Sequence, residues 1–161
     1  MKKIATILLI VIAVSTLFLT TACAPDAADD KVATTSDIAA AVIGSGFFPD
    51  MNKLGLEDLS GYYFGIDLSG VVDATSYVSS SGEFPDEVTI IKTDSSDTTL
   101  NRLEAFFKNW VEDRLEKWTE YNPDEVYKLA DAFVEAREGY VVVLVCDRPG
   151  LAKKAFYNFL Y

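Results

Sequence analysis

The chain has 161 residues, with 25 acidic side chains against 14 basic ones, no histidine and a formal net charge of −11. So much negative charge repels phosphate groups, which disfavours nucleic acid and anionic lipid headgroups as partners. Without histidine the chain has neither the usual general base of a Ser or Cys nucleophile nor the usual zinc ligand.

The first 23 residues predict a secretion signal that ends in a lipidation site. Lys2 and Lys3 precede an uncharged apolar run over residues 4–19, and small residues at 20–22 lead to Cys23. This order of positive, apolar and small residues is typical of a signal peptide. The run is shorter than the roughly 20 apolar residues that cross a bilayer, so a removable signal over residues 1–22 is favoured over an uncleaved anchor.

Cleavage before Cys23 would allow acyl chains, such as palmitate, to hold the protein on the extracytoplasmic face of the cell membrane. It would also remove two lysines and no acid, which changes the net charge to −13. Ordinary secretion and an uncleaved anchor are the alternatives. Residues 23–35 comprise the lipid site and a small, acidic stretch without aromatics, which predicts a flexible linker.

Residues 36–161 predict one α+β domain. Ser36 is a suitable N-cap for a short helix from Asp37 to about Ile43. The apolar residues 47–51 are interrupted, residues 58–61 have the composition of a turn, and residues 62–66 suit a short strand or an ordered loop. Residues 71–79 predict a strand, and residues 87–92 predict a stronger one, with Val88 and Ile90 on one face.

A long amphipathic helix is the clearest predicted element. Asp94 and Asp97 resemble an acidic cap at its start, and the helix is expected to run to about Glu120. Its apolar residues recur at helical spacing and favour a core face over a ligand groove. They are Leu100, Leu103, Phe107, Trp110, Val111 and Trp118.

The C-terminal part predicts a turn, a hairpin and a last helix. Pro123 suits the first position of a short helix, and residues 130–137 and 140–146 form a candidate β-hairpin that turns at Glu138 and Gly139. The inner face of the terminal helix would be apolar, formed by Leu151, Ala155, Phe156, Phe159 and Leu160. We therefore expect an antiparallel or mixed sheet covered by the long amphipathic helix and a C-terminal helix.

Catalytic, metal and cofactor sites are not predicted. Cys146 lies in an apolar, strand-like run, where cysteine commonly acts as a small buried hydrophobe. The carboxylates nearest to predicted loops have no spacing that fixes two of them as an acid–base pair, and turn chemistry accounts for acids in loops. They are Asp67, Asp73, Asp86 and Glu87. A calcium site at Asp94 and Asp97 is possible, but the segment lacks the EF-hand pattern and helix capping explains both acids.

Four aromatic residues are candidates for contact with an envelope protein partner, because aromatics with polar tips are favoured at interfaces. These are Tyr62, Tyr63, Phe64 and Tyr121. The alternative is that they are partly buried structural aromatics. The predicted function is a binding module at the cell envelope, with an envelope scaffold or a carboxylate-dependent hydrolase as alternatives.

Four segments in this order resemble the domain-of-unknown-function family 4358, whose members are short bacterial lipoproteins with the same signal and linker layout. The segments cover residues 62–67, 84–92, 121–125 and 139–142. The resemblance extends over roughly residues 37–159 and implies location and architecture. It implies no activity and no catalytic residue.

Overall fold

A computed structural model describes residues 33–45 and 47–161, and within them the chain forms five α-helices and one five-stranded sheet. The helices are α1 (Thr35–Ile43), α2 (Leu56–Tyr62), α3 (Asp97–Tyr121), α4 (Val126–Ala130) and α5 (Pro149–Tyr157). The strands are β1 (Met51–Gly55), β2 (Val71–Ser79), β3 (Glu87–Thr93), β4 (Phe133–Arg137) and β5 (Tyr140–Val145). The α+β class is confirmed. The predicted signal, Cys23 and the linker up to residue 32 lie outside the described residues.

All neighbouring strands of the sheet run antiparallel, in the order β1-β2-β3-β5-β4. The central strand is β3, where Ile90 lies opposite Thr75 of β2 and Val142 of β5. The β4–β5 hairpin turns at Glu138 and Gly139, whose φ angles are 51° and 80°. Two positive φ angles in a two-residue turn match the twist of the strands, so the predicted hairpin is confirmed.

Both faces of the sheet are buried. Successive residues of β3 and β5 point to opposite faces, and helices cover each face. One face packs against α1 and α5 through Val88, Ile90, Val142 and Leu144. The other face packs against α2, α3 and α4 through Ile91, Val141, Val143 and Val145. The long and C-terminal helices therefore cover opposite faces.

The apolar stripe of α3 is only partly core. Ser96, between the two predicted acidic caps, is the N-cap, and its Oγ accepts a hydrogen bond from the backbone N–H of Thr99 at 3.2 Å. Leu103 and Phe107 are fully buried, whereas Trp110 and the apolar residues after it are half-buried. The C-terminal half of the helix therefore leaves apolar side chains at the surface.

The segment before β2 differs most from its prediction. Residues 58–61 are helical, because the Asp58 carboxylate accepts the backbone N–H of Gly55 at 3.0 Å and Leu59 is buried. The predicted strand or loop at residues 62–66 is the end of α2 and the turn after it. Strand β1 was not predicted, since Asn52 and Lys53 are exposed and give no apolar alternation.

Both terminal helices also differ in detail. Thr34, rather than Ser36, is the N-cap of α1, and it forms a capping box with Asp37. In α5 the buried residues are Ala152 and Phe156. Leu151 and Phe159, which were expected on the inner face, are exposed.

Candidate functional site

A groove runs along the exposed side of the C-terminal half of α3 and is called the α3 groove below. It consists of two adjoining depressions of about 360 and 240 Å³. Both are lined by Trp110, Asp113 and Lys117, so they form one continuous surface. Aromatic rings and charges of both signs therefore alternate along it.

Three of the four predicted contact residues lie along this groove. Tyr62 lines the larger depression and is 37 % exposed, and Phe64 lines the smaller one and is 92 % exposed. Tyr121 is 67 % exposed and packs edge-on against Trp118 with ring centroids 5.5 Å apart. The structure thus brings Tyr121 to the same groove as Tyr62 and Phe64, which precede it by 59 and 57 positions, and their role in contact stays a prediction.

Tyr63, the fourth predicted contact residue, is fully buried and so its ring cannot touch a partner. Its hydroxyl lies 2.8 Å from Ser76 Oγ and 2.6 Å from Thr89 Oγ1, and it donates to Glu87 Oε1 at 2.8 Å. Burial, together with the nearby Glu87 carboxylate, raises the pKa of the Tyr63 phenol well above its usual value. Tyr62 ends α2 and Tyr63 follows it, which places these neighbouring rings on different sides.

The same buried network holds the floor of the groove. The second carboxylate oxygen of Glu87 accepts a hydrogen bond from Arg114 at 2.6 Å and one from the Trp110 indole at 3.3 Å. Arg114 also donates to the carbonyl of Pro85 at 2.7 Å. Because Glu87 is fully buried, these bonds are shielded from water and fix the positions of Trp110 and Arg114.

A second concave site, called the Asp86 cavity below, adjoins the groove and has a volume of about 280 Å³. Its apolar lining residues are Phe47, Phe48, Pro49 and Phe84, and its charged lining residues are Asp86, Lys128 and Asp147. Phe84 and Asp86 line both the cavity and the larger depression of the groove. The turn before β3 therefore forms the wall between the two sites.

Lys128 lies at the centre of a buried group of charges. It is 5 % exposed, and its Nζ lies 2.9 Å from Asp86, 2.8 Å from Glu125 and 3.3 Å from Asp147. Burial disfavours the charged ammonium and by itself would lower the pKa of Lys128. The contacts with Glu125 and Asp86 outweigh this effect, so the pKa is raised. Tyr127 donates a hydrogen bond to Asp147, which lowers the pKa of that carboxyl.

One oxygen of this group has no partner among the described residues. Asp86 is 1 % exposed, and its Oδ2 accepts a hydrogen bond from Lys128 while its Oδ1 accepts none. Burial raises the pKa of the Asp86 carboxyl, and the neighbouring ammonium only partly offsets this effect. An oxygen left in this state is a ready acceptor for a donor on a bound molecule.

The other predicted carboxylates do not converge on a site. Asp67 and Asp94 accept backbone N–H groups of Ser69 and Ser96 at 2.9 and 3.0 Å, as acids in turns commonly do. Asp73 binds the start of α1 through the Thr35 N–H at 3.1 Å. In the part of the chain that the structure describes, no group of three or more acidic or cysteine side chains could hold a metal ion.

Sequence reasoning missed Lys128, Asp147 and two of the three phenylalanines that line the Asp86 cavity, Phe47 and Phe48. Lys128 follows an acidic residue in a short helix, a pattern typical of an exposed ion pair. No local signal indicates that it is buried. Phe47 and Phe48 belong to an apolar run that predicted packing and no particular partner.

Among the described residues, none of the helices combines the length and the apolar character that a membrane span requires.

Comparison with known proteins gives one match. A family model described as "Domain of unknown function (DUF4358)" matches residues 45–146. Searches of curated proteins and of solved structures found no match. The matched region reaches from before β1 to just after β5, so it contains the α3 groove and all but one of the residues that line the Asp86 cavity. The match covers more than half of the chain, which therefore belongs to the DUF4358 family.

Proposed function

We propose that this protein is a lipid-anchored, extracytoplasmic binding module that docks a segment of an envelope protein in the α3 groove. The observation that carries the proposal is the exposure of Tyr62, Phe64 and Tyr121 beside the half-buried indoles of Trp110 and Trp118. Large aromatic side chains in a shallow groove supply most of the binding energy in many protein interfaces.

The chemistry of the groove suits a polypeptide with both apolar and charged side chains. Asp113 and Lys117 lie on the helix side of both depressions. Asp113 offers a negatively charged hydrogen-bond acceptor, and Lys117 offers a positively charged donor. Tyr62 lies next to Trp110, with ring centroids 5.9 Å apart, and adds a hydroxyl at the edge of an apolar surface. A ligand without hydrogen-bonding groups would leave these polar groups unpaired.

The length of the groove suits an extended segment. The stretch of α3 that lines the two depressions, from Phe106 to Trp118, is about 18 Å long at a rise of about 1.5 Å per helical residue. An extended peptide advances about 3.3 Å per residue, so about five or six residues would cover this distance. Because the Glu87 network fixes Trp110 and Arg114 in advance, these side chains would lose little conformational entropy on binding.

The anchored location rests on the sequence. An apolar run of signal length followed by small residues and Cys23 is typical of a secreted lipoprotein, and acyl chains on Cys23 would keep the domain at the membrane. A domain held at the surface meets its partner at a high local concentration, so even a weak groove contact would be sustained.

The two other functions considered have less support. A scaffold needs no groove with a prearranged aromatic floor. A carboxylate-dependent hydrolase needs two carboxyl groups free to act on a substrate, but Glu87 is fully buried against Arg114 and Asp86 is paired with Lys128.

Site-specific photocrosslinking on the full chain in its native membrane tests the proposal. A photoreactive phenylalanine analogue at position 121 should form a discrete adduct with an envelope protein, and Trp118→Ala in the same chain should reduce the yield severalfold. The matched control carries the analogue at Lys154, an exposed residue of α5 on the opposite side of the sheet. Equal adducts from both positions, or none from position 121, would overturn the proposal.

A further inference from the structure

We infer that the Asp86 cavity binds a small organic ammonium compound, with its charged nitrogen at Asp86 and its apolar part against the phenylalanine rings. This site is separate from the proposed docking of a polypeptide in the α3 groove and does not depend on it.

The shape of the cavity indicates a small amphipathic ligand. Three phenylalanine rings and a proline line the cavity together with Asp86, Lys128 and Asp147. Its volume of about 280 Å³ lies near the lower limit of roughly 300–1,000 Å³ for small-molecule sites. Such a site suits a compound with one polar end and a short apolar body.

The unpartnered oxygen of Asp86 identifies the polar end. Buried carboxylate oxygens are normally satisfied by donors, since an unsatisfied one keeps the cost of its lost hydration. Oδ1 of Asp86 accepts no hydrogen bond from the described residues and is itself buried, in a residue that also lines the cavity, so a ligand would contact it by displacing the groups that cover it. A ligand that donates a hydrogen bond to this oxygen would complete the hydrogen bonding of Asp86.

The balance of charge favours a cation over an anion. Asp86, Glu125 and Asp147 surround one ammonium, so the group carries more negative than positive charge. Arg148 reduces this excess but does not cancel it, and its guanidinium lies over the ring of Phe47 at 4.9 Å. An anionic ligand would find Lys128 already surrounded by carboxylates.

The aromatic walls favour an organic cation over a metal ion. A ring face attracts an ammonium group, whereas a bare divalent cation requires several oxygen ligands. The chain already uses this chemistry in the cavity wall, where Lys128 Nζ lies 5.3 Å from the centroid of Phe84. A second ammonium at Asp86 would meet the same combination of carboxylate and ring.

Isothermal titration of the full chain in detergent with 2-phenylethylammonium chloride tests the inference, with 2-phenylethanol as the uncharged analogue of equal size. The amine should bind, and the alcohol should bind at least about tenfold more weakly, because its uncharged hydroxyl can donate a hydrogen bond to Asp86 but cannot form an ion pair with it. Asp86→Asn keeps the size of the side chain and removes its charge, so it should weaken amine binding about tenfold.

Asp113→Asn is the matched control, since Asp113 lines the groove and not the cavity, and it should leave amine affinity unchanged. If Asp86→Asn does not fold, Phe48→Ala tests the apolar wall and should weaken both compounds. Equal affinity for amine and alcohol, or no binding of the amine at millimolar concentration, would refute the inference. Crosslinking from position 121 reports on the groove alone, so the two proposals can fail separately.

Discussion

Glu87 is a buried charge that is fully partnered, and this explains how an acidic residue can occupy the centre of the sheet. Its two oxygens are shared among Tyr63, Thr89, Trp110 and Arg114. The bonds connect β3 to the residue after α2 and to α3, on the same face of the sheet. A single side chain therefore holds together the core and the floor of the groove.

Replacing Glu87 with alanine should lower the free energy of unfolding by about 3–5 kcal/mol, because Arg114 would keep its charge in a largely buried position without a partner. Urea unfolding followed by circular dichroism measures the loss. Glu104→Ala removes an exposed helical ion pair with Lys108 and should cost no more than about 0.5 kcal/mol. Equal losses in the two variants would show that the Glu87 network has no stabilising role.

Cys146 is buried, as its apolar strand predicted, and burial raises the pKa of its thiol to about 11. The folded chain therefore keeps this proton at pH values where the unfolded chain, with an ordinary value of 9.0, has lost it. The resulting stabilisation is complete below about pH 9 and is lost as the pH rises towards 11. Tyr127, whose pKa is raised to about 12 by its hydrogen bond to Asp147, acts in the same direction at higher pH.

Two measurements check the behaviour of this thiol in a Cys23→Ser chain, which leaves Cys146 as the only cysteine of the two in the sequence. A disulfide reagent at pH 8 should react far more slowly with the folded chain than with the urea-unfolded one. Cys146→Ala should reduce the fall in stability between pH 9 and 11. Rapid reaction of the folded chain would contradict the burial of Cys146.

The contrast between Tyr62 and Tyr63 shows what residue patterns could not reveal. Both were predicted as contact residues from their residue type, because the predicted strand or loop did not determine which of the two rings faces the core. The end of α2 directs Tyr63 inward to Ser76 and Thr89, and Tyr62 outward to the groove. The sequence did not indicate this helix, because the segment contains glycine and acidic residues. The helix determines which of the two rings is buried.

At the scale of elements, α3 has two different halves. Phe107, in its first half, is fully buried against the sheet, whereas Trp110 and Trp118 are half-buried and line the groove. The amphipathic pattern alone favoured a core face along the whole helix. A wide apolar stripe cannot show where the packed layer beneath it ends, so the groove did not follow from the sequence.

Phe107→Ala should reduce the free energy of unfolding by about 3–5 kcal/mol, because it leaves a cavity in the core. Phe64→Ala is the same substitution at a residue that is 92 % exposed, and it should change stability by less than about 0.5 kcal/mol. Chemical denaturation of both variants provides the comparison. A small loss for Phe107→Ala would mean that the helix is loosely packed on the sheet.

The elements that were predicted best are those with strong local signals. Strand β3 alternates its apolar residues, and the Glu138–Gly139 turn has the residue type that positive φ angles require. The Asp86 cavity had no such signal, because its walls come from four separate segments of the chain. They are residues 47–49, 84–86, 128 and 147. Their meeting depends on the order of strands, which sequence periodicity does not determine.

At the scale of the whole molecule, the lipid anchor can be tested directly. Cys23→Ala should move the protein from the membrane fraction to the soluble fraction or prevent signal cleavage, while the folded domain keeps its circular dichroism spectrum. Cys146→Ala is the matched control and should leave the protein in the membrane fraction. Tight membrane retention of a cleaved Cys23→Ala chain would contradict lipid anchoring through this residue.

The attachment of α1 to the sheet has a consequence for orientation. Thr35 is bound to Asp73 near the start of β2, on the sheet face opposite α3. Ser79, at the other end of β2, lines the groove, and six residues of strand separate the two points by about 20 Å. Within the described domain, the N-cap of α1 and the groove therefore lie on opposite faces of the sheet and towards opposite ends of β2. A protein docked in the groove would face the side of the sheet that α1 does not cover.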